Sequence, residues 1–96
     1  MTARQRPLQD RAVALQYRHD MPAPLVVAKG SGAAARRLVE LASQHGISVV
    51  NRAELANALV MVDIGDYIPE DLYRMVAELL AFINRIERQT ADGSGR

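Results

Sequence analysis

The placement of backbone breakers is what most narrows the folds open to this chain. Pro22, Pro24, Gly30, Gly32, Gly46, Gly65 and Pro69 follow one another at short intervals. Proline lacks an amide donor, and glycine takes backbone angles that other residues avoid. The middle of the chain is therefore cut into short segments, and a long uninterrupted stretch begins only after Pro69.

The segments read as strands and helices in turn. Ala12 to Arg18 alternates, with Val13, Leu15 and Tyr17 on one side and Ala14, Gln16 and Arg18 on the other, which is the period of a half-buried strand. His19 to Pro24 breaks regular structure, and Leu25-Val26-Val27-Ala28 reads as a short buried strand. After Gly30-Ser31-Gly32, Ser31 is placed to cap a helix whose Ala34, Ala35, Leu38, Leu41 and Ala42 recur at helical spacing. Gly46 ends that helix in a left-handed turn, and Ile47-Ser48-Val49-Val50 reads as a third strand. Strand, helix and strand in this order predict a parallel pair joined by a right-handed crossover. Asn51 with Glu54 resembles a capping box for a second helix carrying Leu55, Ala58, Leu59 and Val62, ended by Ile64-Gly65-Asp66. Pro69 suits the first position of the last helix, which starts with Glu70 and Asp71 near its positive end and is predicted to run to about Arg88. The expected fold class is α/β, a small mixed sheet of about three strands flanked by three helices. It occupies residues 11–88, between a flexible arm at 1–10 and a flexible tail at 89–96.

The last helix carries more apolar surface than its packing requires. Leu72, Met75, Val76, Leu79, Ile83 and Ile86 already form a core-facing stripe. Tyr73, Ala77 and Leu80 fall on a flank roughly 100° around from it, at about 100° per residue. Two readings of this flank stand: a curved sheet buries it, or it forms a shallow groove for an apolar side chain of a partner peptide.

Composition bounds the rest. At 96 residues the chain holds one domain with a modest core. The 12 Lys and Arg nearly cancel the 11 Asp and Glu, so no strong field draws the molecule to nucleic acid or anionic lipid. With no Cys there are no disulfides, thiol nucleophiles or thiolate metal sites, which fits a reducing compartment, and the cytoplasm is the expected location. No apolar run approaches the roughly 18–20 residues of a membrane span, and no secretory signal pattern stands at the N-terminus. Membrane insertion is not expected.

Residues with chemical potential do not combine into a catalytic set. His19 and His45 lie in or beside breaks without the partners of a zinc site. Ser31, Ser43 and Ser48 have local structural readings and no nucleophile elbow, and the carboxylates are scattered. Lys29-Gly30-Ser31-Gly32 at a strand-to-helix turn could hold an anion, but its spacing matches neither standard phosphate-binding glycine motif. Lys29 is nevertheless the only lysine beside 11 arginines. Arg36-Arg37 and Arg85 with Arg88 are interrupted by Glu40, Glu78 and Glu87, unlike a nucleic-acid stripe. Neither enzyme turnover, a metal nor a cofactor is expected.

Taken in order, AVALQY, MPAPLVVAKG, SQHGISVV, NRAELANAL and IPEDLYRMVAELLAFI resemble the cytoplasmic C-terminal domain of the FlhB family, the flagellar type III export switch proteins, from about Arg11 to Arg88. The resemblance implies a non-enzymatic role in flagellar protein export, where this domain helps change the exported class from rod and hook proteins to filament proteins. In that family an Asn-Pro-Thr-His motif precedes strand one, and the chain is cleaved after its Asn. Pro7-Leu8-Gln9-Asp10 occupies that register here, and none of Asn51, Asn57 and Asn84 precedes a proline. Self-cleavage by that chemistry is therefore not expected.

The resemblance further implies two sites. Ala23 and Pro24 with Ala77 and Leu80 correspond to a substrate-docking patch, to which the helical flank adds Tyr73. The edge of strand one, from Ala12, Val13, Ala14, Leu15 and Gln16 to Tyr17, would lack the upstream strand that the family pairs with it. The implied partners are the cytoplasmic stump of a full-length switch protein, for which this chain would replace the cleaved fragment, and export substrates or the hook-length ruler protein. Weak pairing of two copies through the same edge is also allowed. Two alternatives are a soluble adaptor or decoy that binds export substrates and an anion- or nucleotide-binding protein using the Lys29 turn.

Overall fold

A computed structural model describes the backbone of residues 10–94 and the side chains of residues 10–85. The expected arm at 1–10, Asp10 excepted, and the last two residues of the tail lie outside the described residues, as does the side chain of Ile86.

Two antiparallel strands, β1 (Arg11–Gln16) and β2 (Leu25–Ser31), form the sheet. The register runs Arg11 with Ser31 to Ala14 with Ala28, then shifts so that Leu15 faces Val26. Val27 is the extra residue, and at this bulge the strand loses simple alternation. Val26 is fully buried while Val27 is exposed. β1 stops before Arg18 because the chain turns there: the Arg18 carbonyl accepts the Met21 amide at 2.9 Å.

Helix α1 (Ala33–Gln44) packs over both strands. Its N-cap is Gly32 rather than Ser31, with φ of 59°, an angle that glycine alone adopts cheaply. Its C-terminus closes as expected on Gly46 at φ of 70°. The Ile47 amide donates to the Ala42 carbonyl at 2.8 Å and the Gly46 amide to that of Ser43 at 3.2 Å, the paired bonds of a Schellman motif.

That closure explains one departure from expectation. Residues 47–50 form no strand and no parallel crossover. The Ile47 amide is consumed by the helix cap, and the second edge of β2 is taken by residues 65–68. Val26 donates to the Asp66 carbonyl at 3.0 Å and accepts from Gly65 at 2.8 Å, and Ile68 donates to the Pro24 carbonyl at 3.0 Å. Leu25 and Tyr67 form an antiparallel bridge in the same ladder. The architecture is α/β as expected, but the described sheet has two strands with a bridging segment instead of three.

Helix α2 (Ala53–Leu59) starts one residue beyond the expected cap, at Arg52, and has no side-chain cap. Pro69 is the cap of a short 3₁₀ turn over Glu70–Leu72, which leads into helix α3 (Tyr73–Ser94). α3 passes Arg88 because no breaker intervenes before Gly93. The core gathers Ala23, Val26, Leu55, Leu59, Ile68 and Val76. Leu72, Met75 and Leu79 of the predicted stripe pack against it.

α1 approaches β2 so closely that a methyl group on Gly30 would lie 2.9 Å from Ala34 Cβ and 3.0 Å from the Ala34 carbonyl carbon. Because the obstacle includes helix backbone, Gly30→Ala should destabilise the domain by about 1–3 kcal/mol, measured by urea denaturation.

Candidate functional site

Ala23, Pro24, Tyr73, Ala77 and Leu80 line a single groove of about 350 Å³. On one side α3 supplies Tyr73, Val76, Ala77 and Leu80, which one helical turn after another brings to the same flank. On the other the β1–β2 connection supplies Tyr17, Pro22, Ala23 and Pro24. Ile68 completes the lining.

Burial separates depth from rim. Val76, Ile68 and Ala23 are at most 4% exposed and belong to the core, whereas Tyr17 is 46% and Tyr73 43% exposed. Ala77 lies open on the surface and Pro24 is buried. Two prolines stiffen the connecting loop, and the Ile68 bond to the Pro24 carbonyl ties it to the segment carrying the groove bottom. The Arg18–Asp20 ion pair at 3.3 Å is largely solvated and adds little to this loop.

No lining residue carries a formal charge at neutral pH; the two tyrosine hydroxyls are its only side-chain polar groups. Such a surface recognises apolar groups by shape and desolvation rather than by ion pairing.

Both sequence readings of the α3 flank contain part of the answer. Leu80 is partly buried and packs against the core, while Ala77 and Tyr73 are exposed. Leu80 is thus a structural residue as well as a groove residue, and a charge placed there would strain the fold. Sequence reasoning missed Tyr17, Pro22, Ile68 and Val76. In the sequence Tyr17 belongs to the strand-one edge and Val76 to the core stripe; Pro22 is legible as the partner of Pro24 in the same breaker, and Ile68 carries no local signal.

The second predicted site lies just before the groove's loop residues in the chain. Ala12, Val13, Ala14, Leu15 and Gln16 lie in β1, and Tyr17 stands just past its end, where it lines the groove. Among the described residues β1 pairs only with β2. Ala12 to Leu15 are half-buried, with Val13 and Leu15 against the core, and Gln16 is exposed.

The Lys29 turn does not assemble an anion site. Lys29 Nζ donates to the carbonyls of Val60 at 3.0 Å and Val62 at 2.9 Å. The Gly32 amide donates to the Asp10 carbonyl at 2.9 Å, and Arg36 lies 3.8 Å from the Asp10 carboxylate. The His45 ring sits 2.8 Å from the Leu41 carbonyl at the end of α1. Among the described residues no cluster of three or more His, Cys, Asp or Glu could hold a metal ion, and no helix is long and apolar enough to cross a membrane.

Solved structures share this fold. The chain superposes on the crystal structure of the PscU C-terminal domain with a TM-score of 0.74 at 37% identity, covering 76% of this chain and 95% of that one. A variant of the EscU/SpaS C-terminal domain gives a TM-score of 0.72 at 34% identity, covering 75% and 91%. The fold is therefore that of the C-terminal domains of type III secretion proteins. Over residues 9–83 the chain matches the FlhB HrpN YscU SpaS family, and it belongs to that family. It is 44% identical over 84 residues to the flagellar biosynthetic protein FlhB of Yersinia enterocolitica, spanning 85% of this chain and 22% of that protein. The FlhB of Buchnera aphidicola (Schizaphis graminum) is 42% identical with the same coverage. The secretion system apparatus protein SsaU of Salmonella typhimurium is 45% identical over 78 residues, spanning 79% and 22%. The chain thus spans about a fifth of the length of these relatives.

The division of α3 between core and groove has a measurable consequence. Leu80→Ala should lower unfolding stability by about 1–2 kcal/mol, less than the roughly 2–5 kcal/mol of a fully buried leucine. Ala77→Asp should change it by no more than about 1 kcal/mol. Parallel urea titrations of the two variants compare them.

Proposed function

We propose that this domain serves type III protein export as a binding element without turnover chemistry, and that its groove receives an apolar side chain from an export substrate. The observation that carries this reading is the convergence of Tyr73 and Ala77 on α3 with Ala23 and Pro24 on the β1–β2 loop into one uncharged groove. An exposed alanine between a tyrosine and a leucine leaves room for a guest side chain that a larger residue would fill. Family membership supplies the export context, and the relatives' flagellar and secretion-apparatus names make partners of that machinery the ones to test.

In the same reading the domain docks on the cytoplasmic stump of a full-length switch protein through the outer edge of β1. An extended segment added there would satisfy main-chain groups that β2 does not pair. Location at the export apparatus follows from such docking, and the hook-length ruler protein is a further candidate for the groove.

Two experiments test these statements separately. Purified hook-protein monomer titrated into the domain should bind, and Ala77→Asp should weaken binding at least tenfold while the variant stays folded, its melting temperature lowered by no more than about 8 °C; undiminished binding would remove the groove from the reading. Addition of the stump should shift the backbone amides of Ala12 to Tyr17 in NMR spectra. Shifts elsewhere with those amides still would place the contact on another surface.

A further inference from the structure

We infer that Lys29 is a positioning residue on β2 that helps hold the groove bottom in place; its effect on docking rests on the proposed function above. Lys29 extends from β2 and donates to two carbonyls, those of Val60 and Val62, which follow the last residue of α2. Helix C-termini leave carbonyls without intrahelical partners, and they form the negative end of the helix dipole. An ammonium group with three donors suits both needs.

What makes this cap matter to the groove is the segment that follows. Residues 61–67 are mostly surface: Met61 is 80% and Ile64 57% exposed, and only Val62 packs on the core. Gly65 turns at φ of 94°, and the chain then pairs with β2 through Gly65, Asp66 and Ile68. Ile68, 3% exposed, lines the groove. A connection with so little apolar anchorage is held at its start by Lys29 and at its end by the β2 ladder. The amides of Val60, Met61 and Val62 stay bonded to α2, so loss of the Lys29 tie loosens the turn after α2 without releasing it and loads the β2 ladder, and Ile68 with the Pro24 wall bonded to it is held less firmly.

Lys29→Met keeps most of the aliphatic stem and removes the donors. In the folded variant, hydrogen exchange at the amides of Val26, Gly65 and Ile68 should accelerate at least tenfold relative to the amides of α3. Hook-protein affinity should fall by about fivefold to tenfold, and Lys29→Arg should restore both in part. Exchange that is unchanged, or faster to the same degree throughout α3, overturns the inference, as does local acceleration with unaltered affinity. If wild-type protein binds no hook protein, the docking reading falls, and the exchange comparison alone decides whether Lys29 holds the groove bottom. Should Lys29→Met not fold, reductive dimethylation of the folded protein gives the same comparison. Lys29 is the sole lysine, and dimethylation keeps its charge while leaving one of three N–H donors.

Discussion

The structure depends on the double commitment of Val26. Its side chain is completely buried at the centre of the core, its amide is bonded to Asp66 and its carbonyl to Gly65. A buried backbone group without a partner costs free energy comparable to a lost hydrogen bond. Pairing β2 on this side with residues 65–68 therefore satisfies groups that β1 leaves unpaired, and it does so with a segment from far along the chain. A two-stranded ribbon alone is marginal in water. The 65–68 segment and the three helices turn it into a domain.

The groove is a by-product of the same arrangement. Once Ile68 is bonded to Pro24, the β1–β2 loop and the entry to α3 are brought side by side, and the flank of α3 that the core does not use faces the loop. The deep residues of the groove are core residues, so its shape is as rigid as the packing beneath it. The rim residues Tyr17 and Tyr73 are exposed, and changes there cost the fold little.

Much of this was legible in the residues. The stripe on α3 and the apolar face of α2 follow from periodicity and the Gly46 cap from its glycine, because each depends on neighbours within a turn or two; of the face expected on α1, Ala34 and Leu41 are exposed and only Ala35 is buried. The leftover flank of Tyr73, Ala77 and Leu80 was visible for the same reason. The caps assigned to Ser31 and Asn51 failed because glycine geometry and the preceding chain direction set those starts one residue later. Ile47 to Val50 has the composition of a strand, yet strand formation requires a free partner edge, and no local pattern records whether one exists.

What the sequence by itself determined is where the three helices and the first two strands lie and which faces of α2 and α3 the core uses, since breakers and hydrophobic period act over a few residues. The family resemblance was legible in the order of its segments. Only the tertiary structure decided which segment pairs with the second edge of β2, that Lys29 caps α2 instead of facing an anion, and that Tyr17 and Ile68 join the groove. Each of these joins residues about 30 or more positions apart. Such contacts form by competition among distant partners for one set of hydrogen-bonding groups and one buried volume, and that competition is settled when the chain closes on itself.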